Sequence, residues 1–288
     1  MERVVVLGSG GMLGHMMYLV LKQALPNHVV FGISRSEGPT VDAVTEHIGD
    51  LICGDDIVVN CIGVLNEACE RDRERAVYLN SMLPHFVAKR CRFLFQISTD
   101  CVFLGDKYSI YKKTDVTDAT SLYGRTKILG EITDRTNVVT MRQSIIGPSL
   151  DQYNRGLFNW LFRLSFDSIE GYTNHLWNGV TTQYLAKVIA SIINEAAWPC
   201  GLVHLVPNEI WTKDDLIRYM LHIFEVKKQV TSVEKNRLNR SLEADSAWRV
   251  PSLVDQLEEL KIHMQKYSEL YPHYAPDYVD PELDSVAY

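Results

Sequence analysis

Short apolar runs with no polar break recur along the first half of the chain, and stretches with apolar residues at helical spacing separate several of them. Val4-Val5-Val6-Leu7, His28 to Ile33, Ile57-Val58-Val59-Asn60-Cys61-Ile62-Gly63, Phe93-Leu94-Phe95-Gln96-Ile97 and Val138-Val139-Thr140-Met141-Arg142 have the pattern of strands buried on both faces. After the first of them, Met12, Leu13, Met16, Met17, Leu19, Val20 and Leu21 predict a buried helix that ends before Pro26. One long helix is predicted from about Glu70 to Cys91, with apolar positions at Val77, Leu79, Met82, Leu83, Phe86 and Val87. A further helical segment, Ser121 to Arg135, precedes the fifth run. Strands alternating with helices mean a mainly parallel sheet whose binding crevice lies outside the strands' carboxyl ends. The expected fold class is therefore α/β, a Rossmann-type doubly wound parallel sheet.

From Ser149 onward the pattern loosens. Helices are expected at Leu157 to Phe166 and Leu185 to Ala197, a late strand at Val203-His204-Leu205-Val206, and an amphipathic helix from Lys213 to Phe224 behind a Thr212 N-cap. The domain organisation that follows is 1–150 for the nucleotide-binding unit and 151–288 for a smaller, mixed, substrate-binding one. The tail from Tyr271 to Tyr288, rich in Tyr, Pro and Asp, is expected to be extended or mobile.

Composition narrows the function classes. A net charge of −7 over 288 residues argues against a general nucleic-acid binder, which needs a basic stripe to neutralise phosphates. An anionic ligand must meet a local basic cluster instead. Six cysteines (Cys53, Cys61, Cys69, Cys91, Cys101, Cys200) show no paired metal spacing and no disulfide framework, which fits reduced thiols in the cytoplasm. The apolar run after Met1-Glu2-Arg3 is too short for a signal peptide, and no run approaches membrane-spanning length.

Gly8-Ser9-Gly10-Gly11-Met12-Leu13-Gly14 follows the first strand and opens the first helix, the context in which a glycine-rich turn cradles a dinucleotide. Gly8 allows the tight turn, Gly11 lets backbone approach a pyrophosphate, and Gly14 lets helix and sheet pack closely, with the helix N-terminus toward the phosphates. After the second strand stands Ser34-Arg35-Ser36 rather than an acid. An arginine between two hydroxyls suits a 2′-phosphate and points to NADP(H); a solvated surface arginine is the alternative. Asp42 either reaches the adenine or caps a helix. Gly63, behind Cys61 and Ile62, would keep the cofactor groove open. Asn80 is either buried, bonding backbone near the pair described next, or partly exposed.

The fourth strand ends in Ser98-Thr99-Asp100-Cys101-Val102-Phe103, so a hydroxyl emerges at its tip. Tyr123 and Lys127 follow, one helical turn apart, placing a phenol and an ammonium on one helix face. A nearby cation favours the phenolate and would bring the phenol toward neutral pH as an acid–base group. Spacing alone is weak: Tyr18/Lys22 and Tyr108/Lys112 share it, the first on a packing helix and the second in a loop.

In order along the chain, Gly8-x-x-Gly11-x-x-Gly14, Asn60-Cys61-Ile62-Gly63, Asn80, Thr99 and Tyr123-x-x-x-Lys127 resemble the extended short-chain dehydrogenase/reductase family. Ser98-Thr99-Asp100-x-Val102-Phe103, Tyr123-Gly124-x-Thr126-Lys127-x-x-Gly130-Glu131 and Val180-Thr181 with Leu185-Ala186 are most similar to its dTDP-4-dehydrorhamnose reductase branch, from the start of the chain to about Ala186. The resemblance implies NADPH-dependent reduction of the C4 keto group of a nucleotide-diphosphate sugar. Thr99, Tyr123 and Lys127 would be catalytic. Gly8, Gly10, Gly11, Met12, Leu13, Gly14, Ser34, Arg35, Ser36, Asp42, Cys61, Ile62, Gly63, Asn80, Tyr123 and Lys127 would hold the cofactor. Thr99, Asp100, Cys101, Val102, Arg155, Arg237 and Arg240 would meet the substrate, the last two gripping its diphosphate. No metal is implied, a homodimer is plausible by analogy, and segments after 150 are expected to interleave with the first domain. Cys101 stands where related dehydratases carry Glu, which speaks against dehydration; a related epimerase-reductase has a cysteine there as an acid/base, and a small apolar lining residue is the other reading. A non-catalytic NADP-binding regulatory subunit is the alternative outside enzymes.

Overall fold

The computed structural model describes residues 1–34, 48, 50–152, 156–162 and 168–275. The five predicted strands appear as β1 (Glu2–Leu7), β2 (His28–Ile33), β3 (Ile57–Asn60), β4 (Phe93–Ile97) and β5 (Val138–Arg142), all parallel. The late strand Gly201–His204 joins them beside β5, completing a six-stranded sheet in which β2 and that strand are the two edges. The order reverses between β1 and β3, so the glycine turn after β1 and the chain after β3 face each other at the switch point of a doubly wound sheet.

Both sheet faces are covered, which is why the central strands carry no polar alternation. On one face Val4, Val6, Phe95 and Met141 pack with α1 (Met12–Ala24) and with the helices Thr182–Glu195 and Leu253–Lys266. On the other, Val5, Val58 and Leu94 pack with Leu79, Leu83 and Val87. The first cluster draws on residues from Val4 to Tyr271 and so crosses position 150 freely.

The single helix expected from Glu70 to Cys91 is instead four consecutive pieces: Asn66–Arg71, Arg73–Val77, a π-helical turn Tyr78–Met82, and Leu83–Ala88. Asp72 interrupts it by leaving helical backbone geometry and accepting from the Arg75 N–H at 3.0 Å. Pro84 lacks the N–H that would bond the Asn80 carbonyl in an α-helix, and the widened turn sits there. Gly130 packs into that place; a Cβ on it would lie 1.9 Å from the Asn80 oxygen.

Other expected bounds also shift. The helix after Ser121 is Leu122–Leu129, N-capped by the Ser121 hydroxyl accepting from the Gly124 N–H at 3.1 Å, and it stops at Gly130 rather than Arg135. Thr181 caps a helix that starts at Thr182 and ends at Glu195, before the left-handed Ala196. Helix Lys213–Ile223 begins behind the Thr212 cap as predicted. Of the helix expected at Leu157 to Phe166, Leu157–Phe162 is described. The tail does not begin as an extended segment: Tyr271 is buried, its hydroxyl meets His15 Nε2 at 2.9 Å, and Pro272–Tyr274 form a 3₁₀ turn. Residues 276–288 lie outside the described residues.

Candidate active site

The glycine turn is closed at Gly8 and Gly14 by contacts that leave no room for a side chain there. Gly8 has φ +80°, and its N–H donates to Ile33 O at 2.8 Å. A Cβ on Gly14 would sit 1.9 Å from the Gly8 carbonyl oxygen, so only glycine lets α1 start this close to the strand end. Across the switch point, Cys61 N–H donates to Leu7 O at 3.0 Å, and Ile62 lies against Gly8. The start of α1 has neither a side-chain cap nor an acid in its first turn, and Gly11 would place a Cβ in open space apart from Gly8 O at 3.4 Å. Free N–H groups at a positive helix end, with no carboxylate competing, fit a pyrophosphate. Gly10, Gly11 and Gly63 are exposed along this groove and Met12, Cys61 and Ile62 half-buried, whereas Leu13 packs its side chain into the core and has only backbone to offer. Ser34 is buried at the end of β2. Arg35, Ser36, Asp42 and Arg155 lie outside the described residues.

Asn80 resolves to the buried of its two readings, but its amide is fully used by the protein. Its nitrogen donates to Val64 O at 2.9 Å and Thr126 Oγ1 at 3.0 Å, and its oxygen accepts from Val64 N–H at 2.9 Å. It ties the chain after β3 to the helix carrying Tyr123 and Lys127.

At the tip of β4, Thr99 Oγ1 donates to Asp100 Oδ1 at 3.0 Å and accepts from the Cys101 N–H at 3.1 Å. The same hydroxyl faces the Tyr123 phenol and favours its ionised form, yet burial of the phenol outweighs it and, with Cys101 and Asp100, pushes the pKa above the ordinary tyrosine value. The shift runs opposite to the one expected from a neighbouring Lys127 cation, whose ammonium is buried and donates to Ile97 O at 2.6 Å. Burial pulls the Lys127 pKa down to about 8, Glu131 and Cys61 opposing. Glu131, in turn, accepts from Ser98 Oγ at 2.6 Å and from two nitrogens of Arg142 at 2.7 and 2.6 Å, a buried bidentate pair that joins β4, β5 and the Tyr123 helix. The same spacing at Tyr18 and Lys22 gives an exposed contact on α1, Lys22 Nζ donating to the Tyr18 hydroxyl at 3.4 Å.

Cys101 is half-buried beside this corner, its thiol pushed up to about 12 by burial first and Asp100 second, with Arg240 pulling the other way. It is a thiol at neutral pH, which favours the lining role over an acid/base one. Val102 is not available to a substrate: it is fully buried with Phe103, Tyr111, Val206 and Leu242. Arg237 is also turned elsewhere, donating to the carbonyls of Asp106, Lys107 and Tyr108 and lying 4.0 Å over the Tyr108 ring. Arg240 does approach, with Nη1 3.4 Å from Cys101 Sγ and Nε donating to Phe103 O.

One residue at this rim escapes motif reading. Lys213, first residue of its helix, has its nitrogen 5.1 Å from the centre of the Trp177 ring. Burial lowers its pKa, Asp100 and then Cys101 opposing. The strand His175–Trp177 pairs antiparallel with Trp211–Thr212 and sets the indole beside the lysine, and Trp177 Nε1 donates to Ser144 Oγ at 2.7 Å. Its only sequence signal is the Thr212 cap.

Comparisons with known proteins agree on the kind of molecule. Residues 1–248 match the family described as RmlD substrate binding domain. The dTDP-4-dehydrorhamnose reductase of Mycolicibacterium smegmatis is 32% identical over 136 residues, 45% of this chain and only 40% of that protein. The spore coat polysaccharide biosynthesis protein SpsK of Bacillus subtilis is 30% identical over 217 residues, 71% of this chain and 73% of that one. In fold, a Bacillus anthracis dTDP-4-dehydrorhamnose reductase solved in complex with NADP superposes with a TM-score of 0.73 at 17% identity, covering 91% of this chain and 99% of that one.

Proposed function

The chain belongs to the RmlD substrate binding domain family, and from that premise we propose that it reduces the C4 keto group of a nucleotide-linked 4-keto-6-deoxysugar with NADPH, in deoxysugar and surface-polysaccharide synthesis. The observation that carries this is the corner itself: the Thr99 hydroxyl and Tyr123 phenol face each other at the carboxyl end of β4, the same end of the sheet as the uncapped glycine turn after β1.

Bound NADPH supplies the hydride. Tyr123, held protonated by burial, donates its proton to the C4 oxygen as negative charge develops there, and Thr99 bonds the same oxygen. A phenol with a raised pKa suits an acid, the direction reduction requires. Lys127, fixed on Ile97 O and with a pKa of about 8, returns a proton to Tyr123 near neutral pH. Gly8 to Gly14 receive the pyrophosphate, and Ser34, Arg35 and Ser36 the adenosine 2′-phosphate. The segments after 150 that do not join the six-stranded sheet or cover its face form the substrate side. The relatives named above support the sugar class, and the Bacillus anthracis structure, solved with NADP, supports the cofactor.

No described helix is long and apolar enough to cross a membrane; the cytoplasmic placement we propose rests on the six cysteines, which show no disulfide framework in the sequence. A homodimer would appear in sedimentation.

The test is NADPH oxidation with 4-keto-6-deoxysugars generated in place from dTDP-, UDP-, GDP- and CDP-sugars. Turnover with one base and stronger use of NADPH than NADH is expected. No turnover with any, while NADPH still binds, rejects the reductase reading.

A further inference from the structure

The residues that follow the last long helix return to the start of the first one. After Leu253–Lys266 come the turns Ser268–Leu270 and Pro272–Tyr274, and three tyrosines along this stretch are fastened to the rest of the chain. Tyr267 accepts from Gln23 Nε2 near the end of α1, and Tyr274 accepts from the Ser149 N–H at 2.9 Å and donates to Asn159 Oδ1. Between them Tyr271, 3% exposed, meets His15 Nε2 at 2.9 Å, the two rings edge to face with centroids 5.7 Å apart. The stretch is a strap laid along α1, and it lies beyond residue 248, where the family match ends.

The bonds of His15 fix their own direction. Its Nδ1 stands 3.0 Å from the Gly11 carbonyl oxygen, which can only accept, so the ring proton is on Nδ1. Nε2 then carries a lone pair, and the Tyr271 hydroxyl donates to it. Burial holds the imidazole below its ordinary pKa and so uncharged at neutral pH. The Gly11 oxygen thus accepts twice from one residue, from Nδ1–H and from the His15 backbone N–H, also at 3.0 Å. That carbonyl and the Met12 N–H belong to one planar trans peptide and point opposite ways. Pinning the oxygen down the helix aims the Met12 N–H out of the helix N-terminus, where no helical carbonyl answers it. The Gly11 N–H is engaged by Gly8 O at 3.0 Å and is not so aimed.

We propose that Tyr271 and His15 are positioning residues for the dinucleotide: Tyr271 fixes the His15 tautomer, His15 fixes the Gly11–Met12 peptide, and that peptide presents the Met12 N–H to the pyrophosphate. The C-terminal strap is then part of the cofactor site although it acts only through α1. The inference rests on the reading of the glycine turn as the seat of the pyrophosphate.

The experiment is calorimetric titration of NADPH into the full chain, its Tyr271→Phe and His15→Asn variants and the double variant. An asparagine at this position can donate to the Gly11 carbonyl but is too short to reach Tyr271. Tyr271→Phe is expected to weaken NADPH by about three- to tenfold, the range of one net hydrogen bond. In the His15→Asn background the same change should alter affinity by less than about twofold, because nothing remains for the hydroxyl to hold. A Tyr271→Phe that binds NADPH as the wild type does, or that loses the same factor in both backgrounds, overturns the proposal. Should a variant fail to fold, proton–nitrogen correlation NMR of the wild-type imidazole decides: a proton on Nδ1 supports the relay and a proton on Nε2 overturns it. NADPH oxidation separates this from the reductase reading. A chain that shows the coupled loss but reduces no keto sugar refutes the reductase and leaves the strap standing. A working reductase whose NADPH affinity ignores Tyr271→Phe refutes the strap alone, and a wild type that binds no NADPH refutes both.

Discussion

The corner at the end of β4 and the rim opposite it treat polar groups in opposite ways. In the corner nearly every buried polar side chain is answered by protein: Asn80 by Val64 and Thr126, Glu131 by Ser98 and Arg142, Lys127 by Ile97. At the rim, Lys213 has no hydrogen-bond acceptor among the described residues, its nitrogen lying 5.1 Å from the centre of the Trp177 ring, and Arg240 touches a thiol. Matched groups fix geometry, so the first region sets where the proposed chemistry occurs, while a polar group left unmatched at the second is open to a ligand.

Breaking each side should give distinct signatures. The largest effect belongs to Tyr123→Phe, which removes the proton donor: turnover should fall by about 10²–10⁴ while NADPH titration is unchanged, and near-normal stopped-flow rates would remove Tyr123 from the mechanism. Glu131→Ala strands the buried Arg142 guanidinium and should cost about 3–5 kcal/mol in urea unfolding; a loss under about 1 kcal/mol would show that water answers the arginine instead. His204 gives a pH-dependent contrast. Burial, and then Arg142, lower its pKa to about 4, whereas the unfolded chain protonates near 6.5. The unfolded state therefore holds more protons between these values, and stability is lost as pH falls from about 6.5 to 4, by about 3 kcal/mol at most. His204→Gln should flatten that slope in unfolding midpoints. Asn80→Ala, leaving Val64 and Thr126 unanswered, should cost about 1–3 kcal/mol and lower turnover through the helix it braces, read by comparing unfolding with kcat. The smallest change is expected at Cys101: as a thiol and not a thiolate, its replacement by serine should leave kcat within about threefold. A hundredfold loss accompanied by loss of solvent deuterium incorporation at C3 or C5 would restore an acid/base role.

Five strands, the glycine turn and the hydroxyl, phenol and ammonium at Thr99, Tyr123 and Lys127 are visible in the chain because each depends on neighbours within a few residues. Apolar runs report burial, glycine reports a closed turn, and a one-turn spacing reports a shared helix face. The π-helical turn at Asn80 was half legible through Pro84, but its cause also lies in Gly130, which only folding brings against it. The direction of the Tyr123 pKa was misjudged for the same reason: sequence spacing gave Lys127 as the neighbour, while burial and the Ile97 carbonyl decided where its charge acts. The arginine that looked like a phosphate ligand closes a loop of carbonyls, because folding brings the chain at Asp106 to Tyr108 against it. Local chemistry along the chain determined the sheet and the reacting groups; the pairing of distant charges was decided by tertiary packing, because electrostatics acts through distance and burial, which sequence order does not encode.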